Sequence, residues 1–179
     1  MEFKKIQLNG FKSFAEKTNF LIEDGLTGIV GPNGCGKSNI VESLRWVMGE
    51  TSAKSMRGSG MEDVIFSGTS NKASKNIAEV SIEVENKDKE GPIQYREVEQ
   101  IQVRRKIEKD KGSKFYINDK EVRARDAQMF FADLSTGAHS PSMISQGRIG
   151  ALVTAKPTDR RAILEEAAGI SGLHVRRHE

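Results

Sequence analysis

Cysteine and long apolar runs are the features that this sequence lacks most clearly. The 179 residues contain one cysteine, Cys35, so neither a disulfide nor a cysteine-based metal cluster can form within the chain. No apolar run approaches the roughly 20 residues that a membrane-spanning helix needs. The N-terminus, MEFKK, also lacks the apolar segment of a secretion signal. We therefore predict a cytoplasmic protein without a membrane partner.

The remaining composition is typical of one folded domain. Apolar residues make up 36% of the sequence and charged residues 30%, a balance found in globular proteins that bury a single core. The formal net charge of +3 and the pI near 9.0 are mildly basic. A basic balance permits nucleic-acid binding without indicating it, so charge alone leaves the partner open.

A phosphate-binding loop is predicted at residues 31–38, GPNGCGKS, which fit the pattern G-x-x-x-x-G-K-[ST]. An apolar alternation predicts a strand over residues 26–30 before it, and the residues from Asn39 to Gly49 predict a helix after it. Glycines let the backbone turn tightly and aim successive N–H groups at phosphate oxygens, and the helix N-terminus adds its dipole. The alternative is a glycine-rich turn that happens to contain a lysine.

The chemistry of the loop assigns a role to its last residues. Lys37 is predicted to place its charge on the β- and γ-phosphates of a nucleotide, and the hydroxyl of Ser38 to bind Mg²⁺. The predicted nucleotide-binding residues of this segment are Gly31, Pro32, Asn33, Gly34, Cys35, Gly36, Lys37, Ser38 and Asn39.

The rest of the chain divides into strands and two helices. Strands are predicted near residues 3–8 and 18–22, and alternating apolar residues from Ala78 to Ile117 predict an antiparallel β meander in the middle third. Helices are predicted from Arg125 to Leu134 and from Pro157 onward.

The acidic strand that a P-loop ATPase uses to hold Mg²⁺ and polarise water is missing from the pattern. The closest match, Met129 to Asp133, has no β-branched residue and continues the helix from Arg125, so we predict an amphipathic helix there. The segment Leu134 to Gly137 is similar to the start of the ATP-binding-cassette signature, but Thr136 replaces a glycine. We therefore predict a chain that binds a nucleotide and does not hydrolyse it alone.

Five segments together resemble the N-terminal head segment of bacterial SMC (structural maintenance of chromosomes) proteins. They are residues 10–14 (GFKSF), residues 31–38, the loop around Arg57, residues 144–147 (ISQG) and residues 159–170 (DRRAILEEAAGI). The last two segments are much more specific than the phosphate loop, and the resemblance covers nearly the whole chain.

This resemblance implies an α/β fold of the P-loop NTPase class, similar to the N-terminal lobe of an ATP-binding-cassette (ABC) ATPase. We expect a mixed sheet around the phosphate loop, an antiparallel β meander beside it, and the start of a coiled-coil helix. Residues 1–156 would form one lobe of a split head, and residues 157–179 would begin a truncated coiled-coil arm.

The resemblance also assigns roles to single residues. By match to the family's motifs, Gln146 would reach Mg²⁺ and orient the attacking water, and Arg57 would be an arginine finger. Lys12 and the stretch from Asp63 would line the nucleotide. Without the resemblance to the family, we would interpret Arg57 as a solvated loop cation, Gln146 as the cap of a turn and Lys12 as an exposed strand-end lysine. The implied catalytic residues are Lys37, Gln146 and Arg57, and the implied metal ligands are Ser38 and Gln146.

Basic residues cluster on and after the hairpins, and neutralising a DNA backbone needs little more than clustered cations. The resemblance implies that an SMC head contacts DNA on its coiled-coil side, so DNA contacts are expected at Arg123 and Arg125. The alternative is an ordinary solvated face.

The resemblance implies a function in chromosome condensation and segregation through ATP-driven head engagement, in the cytoplasm and on the nucleoid. The implied cofactors are ATP and Mg²⁺, and the implied partners are a C-terminal lobe of the same protein, a second head in a homodimer, a kleisin-type subunit and double-stranded DNA. Two alternatives stay open: a DNA-repair ATPase of the RecN or RecF type, and a non-catalytic DNA-binding scaffold whose phosphate loop is only structural.

Overall fold

One antiparallel sheet of six strands organises the described residues. The computed structural model describes residues 1–25, 27–87, 89, 91–134, 156–158 and 160–161. The spatial order of the strands is β2-β1-β3-β4-β5-β6, and each neighbouring pair is antiparallel. The strands are β1 Glu2–Asn9, β2 Thr18–Leu21, β3 Ile77–Glu85, β4 Gln100–Glu108, β5 Gly112–Ile117 and β6 Lys120–Val122.

The centre of the sheet is the meander that the apolar alternation predicted. Strands β3 and β4 pair along their whole length, from Ile77 opposite Glu108 to Glu85 opposite Gln100. Alternate residues of both strands are buried on one face, as expected for a sheet with one covered side. Strand β6 was not predicted. It follows a tight turn at Asn118 and Asp119, whose φ angles of 48° and 62° suit a two-residue hairpin.

Two helices contribute to the buried face. Helix α1, Lys37–Val47, packs on the central strands β3 and β4 through Ile40, Trp46 and Val47, and helix α2, Ala124–Asp133, packs beside β5. Short 3₁₀ turns occupy Lys54–Met56, Met61–Val64 and Ile93–Tyr95. Helix α2 confirms the predicted amphipathic helix, because Phe130 and Phe131 are buried while Met129 on the same helix is 36% exposed.

The segment before the phosphate loop corrects the sequence prediction. Residues 27–30 form no strand, and Val30 is 93% exposed. Leu26 lies outside the described residues. The predicted strand over 26–30 is therefore wrong where it is described, and the described sheet is antiparallel where a mixed sheet was expected. The physical reason is that an apolar segment becomes a strand only beside another strand, and no described strand lies next to residues 27–30.

Arg105 is a charged residue at an inward position of β4, where it is only 3% exposed. Its Nε donates to Ser113 Oγ at 2.7 Å, and its Nη1 donates to the carbonyls of Trp46 and Glu50, both at 2.7 Å. The guanidinium lies 4.5 Å from the ring centre of Trp46 and 4.7 Å from that of Phe115. Burial lowers the pKa of Arg105 to about 10, so the side chain stays charged at neutral pH. Arg105 thereby caps the C-terminal end of α1 and ties that helix to the sheet.

Three further predictions concern membrane crossing, the domain division and the signature-like residues. No described helix has the length and hydropathy needed to cross a bilayer. The proposed division between residues 1–156 and 157–179 stays a prediction, because nearly all residues around and after it lie outside the described part of the chain. The signature-like residues after Leu134 also lie outside it.

Candidate nucleotide-binding site

The phosphate loop turns into α1 through glycines that no other residue replaces easily. Gly34 and Gly36 have φ angles of 82° and 96°, in the region that disfavours side chains. A Cβ atom on Gly36 would lie 2.8 Å from the Oγ of Ser13 and 3.3 Å from the ring of Phe14. The loop backbone therefore packs closely against the turn at residues 10–14, and the two motif segments meet in space.

Four amide groups of the loop have no partner among the described residues. The N–H groups of Gly34, Gly36, Lys37 and Ser38 donate no hydrogen bond to any described residue. They surround the N-terminus of α1, where the helix dipole places partial positive charge. Donors of this kind in a glycine-rich turn before a helix bind phosphate oxygens.

Lys37 adds a full charge to these donors. Its Nζ donates to the carbonyls of Gly31 at 2.6 Å and Pro32 at 2.7 Å, so the ammonium lies across the loop. Ser38 is exposed in the first turn of α1. The free thiol of Cys35 is exposed as well, and its Sγ would lie 2.9 Å from a Cβ atom on Gly31. The loop therefore offers amides, an ammonium and a hydroxyl to one ligand, which suits the phosphates of a nucleotide with its metal ion.

A second group of charged residues lies against the same helix, and we call it the Glu42 cluster: Glu42, Lys12, Arg57 and Asn39. Glu42 is 7% exposed; its Oε1 is paired with Arg57 Nε and its Oε2 with Lys12 Nζ. Lys12 Nζ also donates to the carbonyl of Met56. These contacts bear on the alternatives given above for Lys12 and Arg57. Lys12 is not an exposed strand-end lysine, and Arg57, although its side chain is 58% exposed, is held on α1.

Asn39 connects the Glu42 cluster to the loop region. Its Oδ1 accepts a hydrogen bond from Arg57 Nη2 at 2.8 Å, and its Nδ2 donates to Ser13 Oγ at 2.8 Å. Asn39 lies in the first turn of α1, directly after the loop. The structure therefore brings Lys12, Arg57 and the phosphate loop together around one end of α1.

Asp63 is engaged with its own loop instead of residues 31–38. Its Oδ2 accepts hydrogen bonds from Ser59 N at 2.7 Å, Ser59 Oγ at 2.9 Å and Gly60 N at 3.0 Å. Among the described residues, Asp63 makes no hydrogen bond to the phosphate loop. Its observed role is to order the turn at residues 58–63, and its predicted contact with a nucleotide stays a prediction.

The Asp63 contacts predict a pH dependence. The amide of Gly60, followed by the hydroxyl and amide of Ser59, lowers the pKa of the Asp63 carboxyl below 3.8. A carboxyl whose folded pKa is depressed stabilises the fold above its unfolded pKa, and that contribution disappears as the pH falls through the folded pKa. NMR titration should therefore give an Asp63 midpoint below 3.8, and Ser59→Ala should raise it. A midpoint at or above 3.8 would contradict the assignment.

The remaining predicted site residues are Gln146, Arg123 and Arg125. Gln146 lies outside the described residues, so its roles as a metal ligand and in catalysis stay predictions. Arg123 and Arg125 lie at the start of α2, and Arg123 Nε pairs with Asp126 Oδ2 at 3.1 Å. Arg125 is exposed. Their DNA contacts also stay predictions.

Glu42 is the residue that the sequence analysis missed. Nothing in the phosphate-loop pattern includes it, although it follows Ser38 by four residues and therefore lies one turn further along the same face of α1. A carboxylate at that spacing, on the face that carries the loop, was the available signal.

Comparison with known sequences supports the expected relationship. The family profile described as RecF/RecN/SMC N terminal domain matches residues 2–148. The chain is 56% identical, over all of its 179 residues, to the chromosome partition protein Smc of Cereibacter sphaeroides, and it spans only 16% of the length of that relative.

Comparison with solved structures agrees with the sequence comparison. A structure from work on the structural biochemistry of ATP-driven dimerization and DNA stimulated activation of SMC ATPases superposes with a TM-score of 0.81 at 29% identity, covering 93% of this chain and 99% of that one. A second neighbour is the Smc head domain with an extended coiled coil, derived from Pyrococcus furiosus and bound to the C-terminal domain of ScpA. It superposes with a TM-score of 0.84 at 30% identity, covering 98% of this chain and 44% of that one. These neighbours confirm the ABC-like P-loop fold class. The chain therefore belongs to the RecF/RecN/SMC N-terminal domain family.

Proposed function

We propose that this chain is the ATP-binding lobe of a split SMC ATPase head that acts in chromosome condensation and segregation. The observation that carries the proposal is the set of groups around the N-terminus of α1, where four loop N–H groups donate to no described residue and the Lys37 ammonium lies across the loop. Such a set of groups neutralises the charge of a triphosphate from several directions. Lys37 and the loop amides would hold the phosphates, while Lys12 and Arg57 lie beside them.

Magnesium would be held by Ser38 together with Gln146, and it would offset negative charge between the phosphates. The Ser38 hydroxyl fits this role because it is exposed at the helix N-terminus and a hydroxyl oxygen is a ligand that Mg²⁺ accepts.

Hydrolysis would need further protein parts. The candidate acidic segment at Met129 to Asp133 is helical, so the described residues offer no acidic strand beside the loop. A C-terminal lobe and a second head would supply the missing groups. The neighbour solved in work on ATP-driven dimerization and DNA-stimulated activation of SMC ATPases, and the head bound to ScpA, support a second head, DNA and a kleisin-type subunit as partners of this chain.

The RecN or RecF alternative belongs to the same family description, so the family alone does not separate it from an SMC protein. The 56% identity to a chromosome partition protein Smc favours the SMC assignment. The scaffold alternative differs in kind, because it requires no nucleotide binding.

The test is to measure ATP binding and ATP hydrolysis by this chain alone, and then with a separately expressed C-terminal lobe. We expect binding without turnover by the chain, and turnover on mixing. Absence of ATP binding would favour the scaffold. Turnover by the chain alone, abolished by Asp133→Ala, would show instead a self-contained ATPase.

A further inference from the structure

A buried carboxylate on helix α1 joins the two cations that lie beside the phosphate loop. Glu42 has one oxygen on Arg57 and the other on Lys12, and its side chain is 9% exposed. A carboxylate removed from water is costly unless its oxygens are paired. Both oxygens of Glu42 are paired with cations, so the three side chains form one interdependent unit.

The contacts of Arg57 lie along α1 toward its N-terminus. Its Nε contacts Glu42, while its Nη2 donates to Asn39 Oδ1 at 2.8 Å. Residues 39 and 42 are three apart and share one face of the helix. The planar guanidinium therefore bridges two side chains that are about one helical turn apart, and these two partners orient it in a way that a lysine with a single ammonium could not reproduce.

The backbone at Arg57 adds to this constraint. Its φ angle of 53° is in the left-handed region, which costs free energy for a residue with a side chain. The carbonyl of the preceding residue, Met56, accepts a hydrogen bond from Lys12. Through Lys12, Glu42 is thus connected to the backbone of the loop that carries Arg57 as well as to its guanidinium.

We propose that Glu42 is a positioning residue for ATP hydrolysis: it holds Arg57 against α1 so that the guanidinium is already in place beside the phosphate loop. The inference rests on the proposed function. A cation held in position needs no reorganisation when charge develops on the phosphates, and this preorganisation speeds the chemical step more than it tightens substrate binding. Loss of Glu42 should therefore act on kcat.

The experiment uses the full-length protein with its second head and compares Glu42→Gln, Arg57→Ala and the double variant. Glu42→Gln keeps the shape of the side chain and removes its charge. We expect kcat to fall about ten- to a hundredfold, while the Kd for ATP stays within about twofold of the parent. The double variant should be no slower than Arg57→Ala, because each change removes the same feature, the guanidinium held in place beside the loop.

Two further variants separate positioning from a loss of fold. Glu83→Gln is the control for loss of a lysine-paired carboxylate elsewhere, because Glu83 on β3 pairs with Lys5 on β1 at 2.8 Å. It should leave kcat unchanged. Glu42→Asp keeps the charge on a shorter side chain and should restore part of the kcat lost in Glu42→Gln. The melting temperature shows whether Glu42→Gln folds. If it does not fold, kcat and the Kd for ATP are measured on Glu42→Asp instead, and the inference predicts a kcat below that of the parent at an unchanged Kd.

The outcomes are distinct. An unchanged kcat in the folded variant, or a double variant slowed by the product of the single effects, would overturn the inference. A raised kcat would also overturn it, since Glu42 would then restrain Arg57. If the parent itself shows no ATP turnover, the proposed function fails and this inference fails with it, whereas normal parent turnover with an unaffected Glu42 variant removes only the inference.

Discussion

Replacement of Arg105 by alanine should lower the free energy of unfolding by about 3–5 kcal/mol. The guanidinium is the donor for the carbonyls of Trp46 and Glu50 at the end of α1. Alanine would leave both carbonyls without this donor in a buried place and open a cavity between the rings of Trp46 and Phe115. The same change would remove the polar link between α1 and the sheet, while the apolar packing of α1 through Ile40, Trp46 and Val47 would remain.

Urea unfolding followed by far-UV circular dichroism measures this effect. The matched control is Arg104→Ala, because Arg104 is the neighbouring residue but points to the other face, where it pairs with Glu79 and Asp119. Partly exposed ion pairs contribute little, so the control should cost less than about 1 kcal/mol. Equal losses in the two variants would show that the capping role of Arg105 is wrong.

Replacement of Lys37 by alanine should weaken ATP binding about 10- to 140-fold. A hydrogen bond between charged partners contributes about 1.5–3 kcal/mol, and each 1.4 kcal/mol is a factor of ten in Kd. Lys37 lies across the loop, with its Nζ 2.6 Å from the Gly31 carbonyl. In the parent it would exchange these carbonyls for phosphate oxygens, whereas alanine leaves only the amides to bind the anion.

Isothermal titration calorimetry at fixed ionic strength and Mg²⁺ concentration measures the change. Lys72→Ala is the control, because Lys72 is an exposed lysine whose nearest carboxylate, Glu16, is 4.0 Å away. It removes the same charge from the chain and should leave the Kd for ATP unchanged. An unaltered affinity in Lys37→Ala would remove the ATPase proposal, and equal losses in both variants would reduce the role of Lys37 to general electrostatics.

The parts of the fold that could be predicted are those in which local pattern and tertiary packing agree. The apolar alternation of β3 and β4 matches the buried face of the sheet, and the helical spacing of Ala127, Phe130 and Phe131 on α2 matches its packed side. In each case, periodicity along a short segment is enough to tell which side chains are buried.

Arg105 shows where that reasoning ends. It occupies an inward position in the alternation of Ile101, Val103 and Ile107, so polarity alone would place it on the wrong face. Its partners are main-chain carbonyls 55 and 59 residues earlier. Only the packing of α1 on the sheet brings donor and acceptors together, and no local pattern contains that information.

The strand predicted before the phosphate loop failed for a related reason. The apolar residues up to Val30 do indicate a segment suited to burial, but a strand also needs an adjacent strand to pair with. The apolar pattern of one segment does not show where that adjacent strand lies. The candidate site divides in the same way. The motif of the phosphate loop could be predicted because its residues are adjacent in the sequence. The spacing of Glu42 from Ser38 indicated only which face of α1 it occupies, and its pairing with Lys12, 30 residues away, could not be predicted.

The exposed segment at residues 27–30 also has a consequence for the colloidal behaviour of this chain. Val30 is 93% exposed and Ile29 43%, and exposed apolar side chains that no described residue covers can associate with a second copy. Light scattering should therefore increase with protein concentration, and more steeply in sulfate than in chloride, because sulfate strengthens apolar association. Dilute solutions in chloride would thus be the conditions in which single molecules are observed.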